Sequence, residues 1–370
     1  MIKKIKKILQ KIFKTISYNI FFLIYGKIKK ILTLDECENL SVTKSIFDNE
    51  FIYNVYKVKS GRLYTDRIHN TALIFKNSVL DGPSFQLKNN INSHIKNNIV
   101  LENGTPRLKK KITGNILSLL TGGGGNSNYW HWLFDVLPRI EIAKKVINLK
   151  KINYFLFPDL VKPFQLETID MLNIPSQKTL SSKKFRHVSS DQIFITDHPY
   201  IKQNAHLDTQ NIPDWVFRWV RTNFLKKEKF TEAPSPKKVY IDRDDSTANH
   251  AKYQNILNKD EFYNFLKSQD FKFLNLSKLK FIDQVKIFNN AELILGIHGS
   301  GFSNIIFSEK KTKIIELRSS KTGKMYENLA LKNNLNYDKI IYEPINSHEG
   351  AVTLGDFKVP MEILKKKLEI

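Results

Sequence analysis

Along the second half of the chain, short unbroken apolar runs alternate with stretches whose apolar residues recur at helical spacing. KKVYID (Lys237–Asp242), FKFLNL (Phe271–Leu276), ELILGI (Glu292–Ile297), KIIELR (Lys313–Arg318) and DKIIYEPI (Asp338–Ile345) read as strands. Between them, DEFYNFLKSQ (Asp260–Gln269), FIDQVKIFNN (Phe281–Asn290) and MYENLALKNN (Met325–Asn334) read as helices, and GFSNIIF (Gly301–Phe307) starts a short one. Such alternation predicts right-handed crossovers and a parallel, Rossmann-like sheet, with ligands beyond the carboxyl ends of its strands. In the first half, INYFLF (Ile152–Phe157), a helical FQLETIDML (Phe164–Leu172) and DQIFIT (Asp191–Thr196) suggest another α/β unit. Ser41 to Arg107 is rich in β-branched and aromatic residues without helix periodicity and reads as mixed strands.

At 370 residues and 41% hydrophobic, the chain is long enough for two packed domains. The segment KFTEAPSPKK (Lys229–Lys238), with two prolines and charges at both ends, is the linker candidate. The expected division is a basic N-terminal segment over 1–40, an α/β domain over 41–228, the linker over 229–238 and a Rossmann-like domain over 239–350. A C-terminal helix over 351–370 is expected to pack back on the first domain. Two Rossmann-like α/β domains facing a cleft is the predicted architecture.

The formal charge of +23 changes this picture little, because Lys is spread along the whole chain together with heavy Ile and Asn use. That is the pattern of an AT-rich genome, and no nucleic-acid-binding module accompanies it. A single cysteine, Cys37, excludes an intramolecular disulfide framework and a Cys-based zinc site, and fits a cytoplasmic location. The N-terminus departs from the average. Over residues 1–32, Lys pairs alternate with apolar residues, and Ile2, Ile5, Leu9, Ile12 and Phe13 recur at helical spacing. The charge-free run from Thr15 to Gly26 is shorter than the roughly 20 apolar residues of a spanning helix, and no small-residue cleavage site follows. A basic amphipathic helix is expected, either lying on an anionic membrane surface or packed on its own domain.

Three stretches carry candidate chemistry. In TGGGGNSNYWHWLFDVLPR (Thr121–Arg139), a helix capped at Ser127 or Asn128 would place His131 and Asp135 four apart on one face. An imidazole and an acid beside a flexible glycine loop can supply a general base, or can simply be a structural pair. Pro138 predicts a kink or restart and leaves the direction of Arg139 open. In GIHGSGFSN (Gly296–Asn304), glycines after an apolar strand and before a helix suit diphosphate cradling or tight packing. The spacing is neither the dinucleotide fingerprint nor a P-loop, and His298 in such a loop is a candidate ligand contact. In IDRDDSTANH (Ile241–His250), Asp242 and Asp244 match an Asp-x-Asp metal motif of low specificity, while Arg243 at a strand end can clamp phosphate.

Taken together, NYWHWLFDVLPR, then VYIDRDDS with ILNKDEF downstream, then GIHGSGFSNIIF followed by KIIELR, resemble glycosyltransferase family 61 in order and spacing over roughly Asn126 to Arg318. The resemblance implies a GT-B architecture and inverting transfer from a nucleotide-activated sugar bound mostly by the C-terminal domain. Carried over by position, the family's His and Asp fall on His131 and Asp135, and its Arg on Arg243. Its Asn-x-x-Glu falls on Asn258 and Glu261, its His-Gly-x-Gly on His298, Gly299 and Gly301 with Ser300 and Asn304, and its strand-end Glu on Glu316. A second Arg common in the family is replaced here by Gln254 or Asn255.

On that reading Asp135 is the base, oriented by or exchangeable with His131. Arg243 and the 298–304 loop receive the diphosphate, and Glu316 binds the ribose hydroxyls. Asn128, Arg139, Asn258 and Glu261 are further substrate candidates, and Gly122 to Gly125, Gly123 and Gly124 above all, form a closing lid. No metal or other cofactor is expected. The expected partners are a nucleotide sugar, UDP-sugar favoured, a glycan or lipid-linked acceptor, and an anionic membrane surface through 1–32. Nucleic acid is not expected. Cell-surface polysaccharide synthesis at the inner face of the cytoplasmic membrane is the context implied. The rival expectation is a non-catalytic glycan- or anion-binding protein with the same cleft.

Overall fold

A computed structural model describes residues 2–28, 30–65, 71–84, 86–88, 91–120, 128–202, 205–243, 254–345 and 355–368. The chain divides into two compact units, residues 1–165 with 173–209 and residues 166–172 with 210–370.

The first unit opens with a helix, α1 (Ile2–Tyr25). No helix among the described residues is long and apolar enough to cross a membrane. The unit is built on a ten-stranded sheet that is mixed rather than doubly wound. Lys110–Ser118, Tyr154–Phe157, Thr179–Ser181 and His187–Thr196 run parallel. The strands between Leu40 and Leu80 join it largely as antiparallel pairs. The expectation of two Rossmann-like domains is corrected here, and the cause is local. Asp48, Asn49, Ser60 and Lys76 sit at positive φ in tight turns, and turns that short leave no room for the crossover a parallel pair needs. In the parallel half, Ser118 lies in register with Ile195, so the chain leaves both strands at one sheet edge. The segment carrying His131 and the segment Asp197–Tyr200 both begin from that edge.

The second unit is the parallel sheet read from the sequence. Its strands are labelled β1 (Lys238–Ile241), β2 (Lys272–Leu274), β3 (Leu293–Ile297), β4 (Lys313–Ser319) and β5 (Asn336–Tyr342), and their order is β2-β1-β3-β4-β5, all parallel. The order reverses between β1 and β3, the switch point at which open α/β sheets leave a crevice beyond the strand ends. Arg243 follows β1, and His298 follows β3.

Two expected boundaries move. The helix Asp214–Phe224 belongs to the second unit, not the first, because Arg221 donates to the carbonyl of Ser308 and to Asn333 Oδ1, each at 3.1 Å, and Phe224 packs edge-on against Phe281. Residues 229–238 accordingly lie inside that unit and do not separate the two. The C-terminal helix Met361–Leu368 also packs within the second unit: Met361 and Leu364 join the core of Tyr240, Phe262, Leu266 and Leu317, and Lys367 pairs with Asp338 at 2.6 Å.

Candidate active site

Asn128 caps the first site segment, its Oδ1 accepting from the Trp130 N–H at 2.9 Å. One α-turn, Tyr129–His131, leads into a π-turn, Trp132–Val136, and then into an α-helix that restarts at Pro138. This is the break that Pro138 predicts: the Leu137 N–H reaches back five residues to the Trp132 carbonyl, and Pro138 has no N–H to place. Trp132, Leu133 and Phe134 are all fully buried by the π-turn, and the turn itself is pinned by Trp132 against Phe157.

His131 and Asp135 are brought together, Nδ1 to Oδ2 at 2.6 Å. Their surroundings differ sharply, for the Asp135 side chain is 1% exposed and that of His131 is 32% exposed. Asp135 faces a shell absent from the motif. Tyr200 donates its hydroxyl to Asp135 Oδ1 and accepts from Trp130 Nε1 at 3.1 Å, and His198 Nε2 stands 3.5 Å from Oδ2. Arg139, fully buried, donates from Nε to the Asp135 carbonyl at 2.9 Å. Burial alone would raise the Asp135 pKa, but His131 and His198 outweigh it and hold the carboxyl well below its usual range. Burial works against protonation of His131, yet the Asp135 charge wins and raises the imidazole. Burial pushes His198 down to about 4 and Arg139 down to about 10. Asp135 is thus a weak, enclosed carboxylate, and His131 is the member of the pair that meets solvent. Arg139 is enclosed as well, which corrects its placement at a substrate-facing position.

The second site gathers at the switch point. Arg243 Nη1 donates to the His298 carbonyl at 2.6 Å and to Gln254 Oε1 at 3.1 Å, so Gln254, one of the two residues at the place expected for a second Arg, steadies the first one. Burial lowers the Arg243 pKa. A Cβ on Gly299 would lie 2.9 Å from Arg243 Nη1, so any larger residue there would have to displace the guanidinium laid against it. At Gly301 a Cβ would meet Leu276 at 2.9 Å and Ile241 at 3.2 Å, which makes that glycine a packing residue. Ser300 opens the 3₁₀ turn Ser300–Phe307 beside them.

His298, 20% exposed at the side chain, pairs through Nδ1 with Glu316 Oε1 at 2.5 Å, and Tyr337 donates to Glu316 Oε2 at 2.5 Å. Glu316 is therefore fully covered with both oxygens engaged, which corrects its expected role on ribose hydroxyls: it orients His298. Asn304 is also fully buried and donates to Gln284 Oε1 at 3.0 Å and to the Gly301 carbonyl at 3.3 Å. Asn258 receives the Val359 N–H at 2.8 Å and donates to the Val359 carbonyl at 3.0 Å and to Glu261 at 3.2 Å, so this pair holds the C-terminal segment. Asp242 accepts from the Tyr263 hydroxyl at 3.0 Å. Gly123, Gly124 and Asp244 lie outside the described residues, among which no three His, Cys, Asp or Glu side chains converge as metal ligands.

Sequence reasoning missed His198, Tyr200, Tyr337 and Tyr342, the last accepting from Gln254 Nε2. The signal for the first two was DHPY (Asp197–Tyr200), a polar and aromatic cluster directly past a predicted strand. The tyrosines of β5 carry no local signal, since an inward Tyr in a strand is ordinarily core.

A parallel sheet with an Arg and a His-Gly loop at its switch point forms one unit, and a His-carboxylate pair stands in the other. The family profile described as Glycosyltransferase 61 matches residues 129–315, just over half of the chain, and the chain belongs to that family. Among curated relatives, the EGF domain-specific O-linked N-acetylglucosamine transferase of Mus musculus is 29% identical over 131 residues, 33% of this chain and 24% of that protein. The proteins of the same name from Gallus gallus and Drosophila melanogaster are each 27% identical, over 131 and 125 residues, with 33% of this chain and 23% and 24% of their own lengths covered. The match spans about a quarter of these relatives.

Proposed function

We propose that the protein is an inverting glycosyltransferase that moves a sugar from a nucleotide-sugar donor to a hydroxyl of a glycan or lipid-linked acceptor. The observation that carries this reading is the His131–Asp135 couple, a solvent-reached imidazole on a buried carboxylate. His131, not Asp135, is the base. Its Nδ1 proton is committed to Asp135, which leaves Nε2 to take the proton of the acceptor hydroxyl as that oxygen attacks the anomeric carbon. The bond from the anomeric carbon to the diphosphate oxygen breaks, and its electron pair leaves on the diphosphate. Arg243 and His298, with the 299–301 turn, hold that group and its developing charge. With those groups neutralising the diphosphate, no metal is required.

The relatives' name, an O-linked N-acetylglucosamine transferase, supports an oxygen acceptor and makes UDP-N-acetylglucosamine the first donor to try, within the favoured UDP-sugars. The basic helix α1 supports peripheral attachment to an anionic membrane surface, and on this reading the protein works at the inner face of the cytoplasmic membrane in surface polysaccharide synthesis. The test is thermal stabilisation by UDP, GDP, CMP and their sugars, with and without EDTA, followed by transfer assays on the stabilising donor. Metal-independent stabilisation lost in Arg243→Ala, and transfer lost in His131→Ala, support the reading. If no nucleotide stabilises the protein, a binding module without chemistry takes its place.

A further inference from the structure

The first unit holds a second cluster of cations that shares no residue with the His131 shell. A cavity of about 350 Å³ is walled by Ile24 and Tyr25 at the end of α1 and by Arg62, Lys76, Lys109 and Ser189, among others. That volume lies within the range of small-ligand sites. Three of its lining side chains are cationic, and none is a carboxylate.

Arg62 is the anchor. It is 7% exposed, and its Nη1 donates to Thr105 Oγ1 at 2.9 Å and to His187 Nε2 at 3.1 Å. His187 can accept because its Nδ1–H is given to the Arg107 carbonyl at 2.8 Å and burial pushes its pKa down to about 4, keeping the ring neutral. The guanidinium carbon lies 5.7 Å from the centre of the Tyr25 ring, and Nη2 has no partner among the described residues. Lys109 places its ammonium 5.7 Å from the same ring and its backbone N–H on the Tyr25 hydroxyl at 2.8 Å. Lys76 has a carboxylate neighbour, Glu38 at 3.0 Å, but both side chains of that pair are exposed. A guanidinium enclosed this far without a counter-charge is costly, and an anion in the cavity offsets the cost.

We propose that this cavity binds the phosphate group of an anionic ligand, at a site separate from the donor's diphosphate. The phosphate is either carried on a lipid or free, and the wall itself favours the lipid. Ile12, Phe13, Ile16, Ile20, Leu23 and Ile24 are exposed along α1, and that apolar stripe runs into the cavity through Ile24.

The experiment uses the full chain carrying Arg243→Ala, which weakens the donor site, so that binding there is told from the cavity by its indifference to Lys109→Gln. Inorganic pyrophosphate is titrated by calorimetry, and flotation is measured with phosphatidylcholine vesicles with and without phosphatidic acid. Lys109→Gln is expected to weaken the response about tenfold, the loss of one charge-assisted contact, and Arg62→Met to weaken it further. If Arg62→Met fails to fold, Lys76→Gln with Lys109→Gln serves instead. Flotation that needs phosphatidic acid and is lost in Lys109→Gln identifies a lipid phosphate. Pyrophosphate binding without any dependence on phosphatidic acid identifies a free one. The proposal is overturned if the Arg243→Ala protein binds neither probe, or if Lys150→Gln, at an exposed site outside the cavity, costs as much as Lys109→Gln.

Discussion

Each unit seats a histidine on a buried carboxylate whose other oxygen takes a tyrosine hydroxyl: His131, Asp135 and Tyr200 in the first, His298, Glu316 and Tyr337 in the second. The two triads differ in what holds them and in the charge around them. Asp135 rises from a π-turn and is shared with a second imidazole, His198, above an enclosed arginine. Glu316 lies in a strand, and the arginine nearest its histidine, Arg243, is partly open and grips the loop backbone. In the first triad the carboxylate raises the imidazole and makes it a better proton acceptor. In the second, a cation and a glycine-lined turn stand beside the imidazole, which suits an anion. On the proposed reading, the same three side-chain types serve proton transfer or anion binding according to the charge next to them.

The largest effect separating the two is expected from His131→Ala, which should lower kcat/KM by about 10²–10⁴, the usual worth of a general base, and leave nucleotide affinity unchanged. The pH profile sharpens this. Activity should fall as pH drops through a His131 pKa held above 6.5, and Asp135→Asn should move that limb to lower pH. Steady-state rates across pH decide whether the limb moves. Next in size, Arg139→Met should cost about 3–5 kcal/mol of stability in denaturant melts, because it strips the charge facing Asp135 and Asp197 from the interior. A substrate-lid role would instead predict altered KM at unchanged stability.

In the second triad, Arg243→Ala should weaken nucleoside diphosphate binding about 10–100-fold by calorimetry, with a smaller effect on folding. Glu316→Gln should weaken it only about tenfold, through a misoriented His298. Its cost should be the same for UDP and for the 2′-deoxy nucleotide, whereas direct ribose binding requires the two to differ. The smallest effect is on stability with pH. His187 and His198 have folded pKa values of about 4 against an ordinary 6.5, so unfolding takes up protons between those values. The stability they contribute is whole above 6.5 and is lost as pH falls toward 4; the raised His131 opposes this in part. Melting temperature should therefore decline over that window, and less steeply in His187→Gln.

The sequence made the second unit legible almost strand by strand, because a parallel sheet buries unbroken apolar runs between helices of regular period. It also placed His131 beside Asp135, since four residues on a helix share a face and the π-turn preserves the pair. The unit boundaries were not legible: Asp214–Phe224 and Met361–Leu368 have amphipathic patterns that fit any apolar surface, and only the packing of Phe224 on Phe281 and Leu364 in the second core assigns them.

What the sequence determined by itself is chemistry that depends on near neighbours: the capped turn at Asn128, the His-carboxylate spacing, the strand, glycine loop and turn around His298, and with them the family. What tertiary structure decided is burial and partnership. Asp135 and Glu316 read as functional acids from their motifs, and folding enclosed both and set each against a histidine. Tyr200 and His198 arrived at Asp135 from more than sixty residues away because two parallel strands end in register at one sheet edge. Periodicity reports which face of an element is apolar, but which polar group is denied solvent, and by whom, depends on surfaces that meet only when the chain is packed.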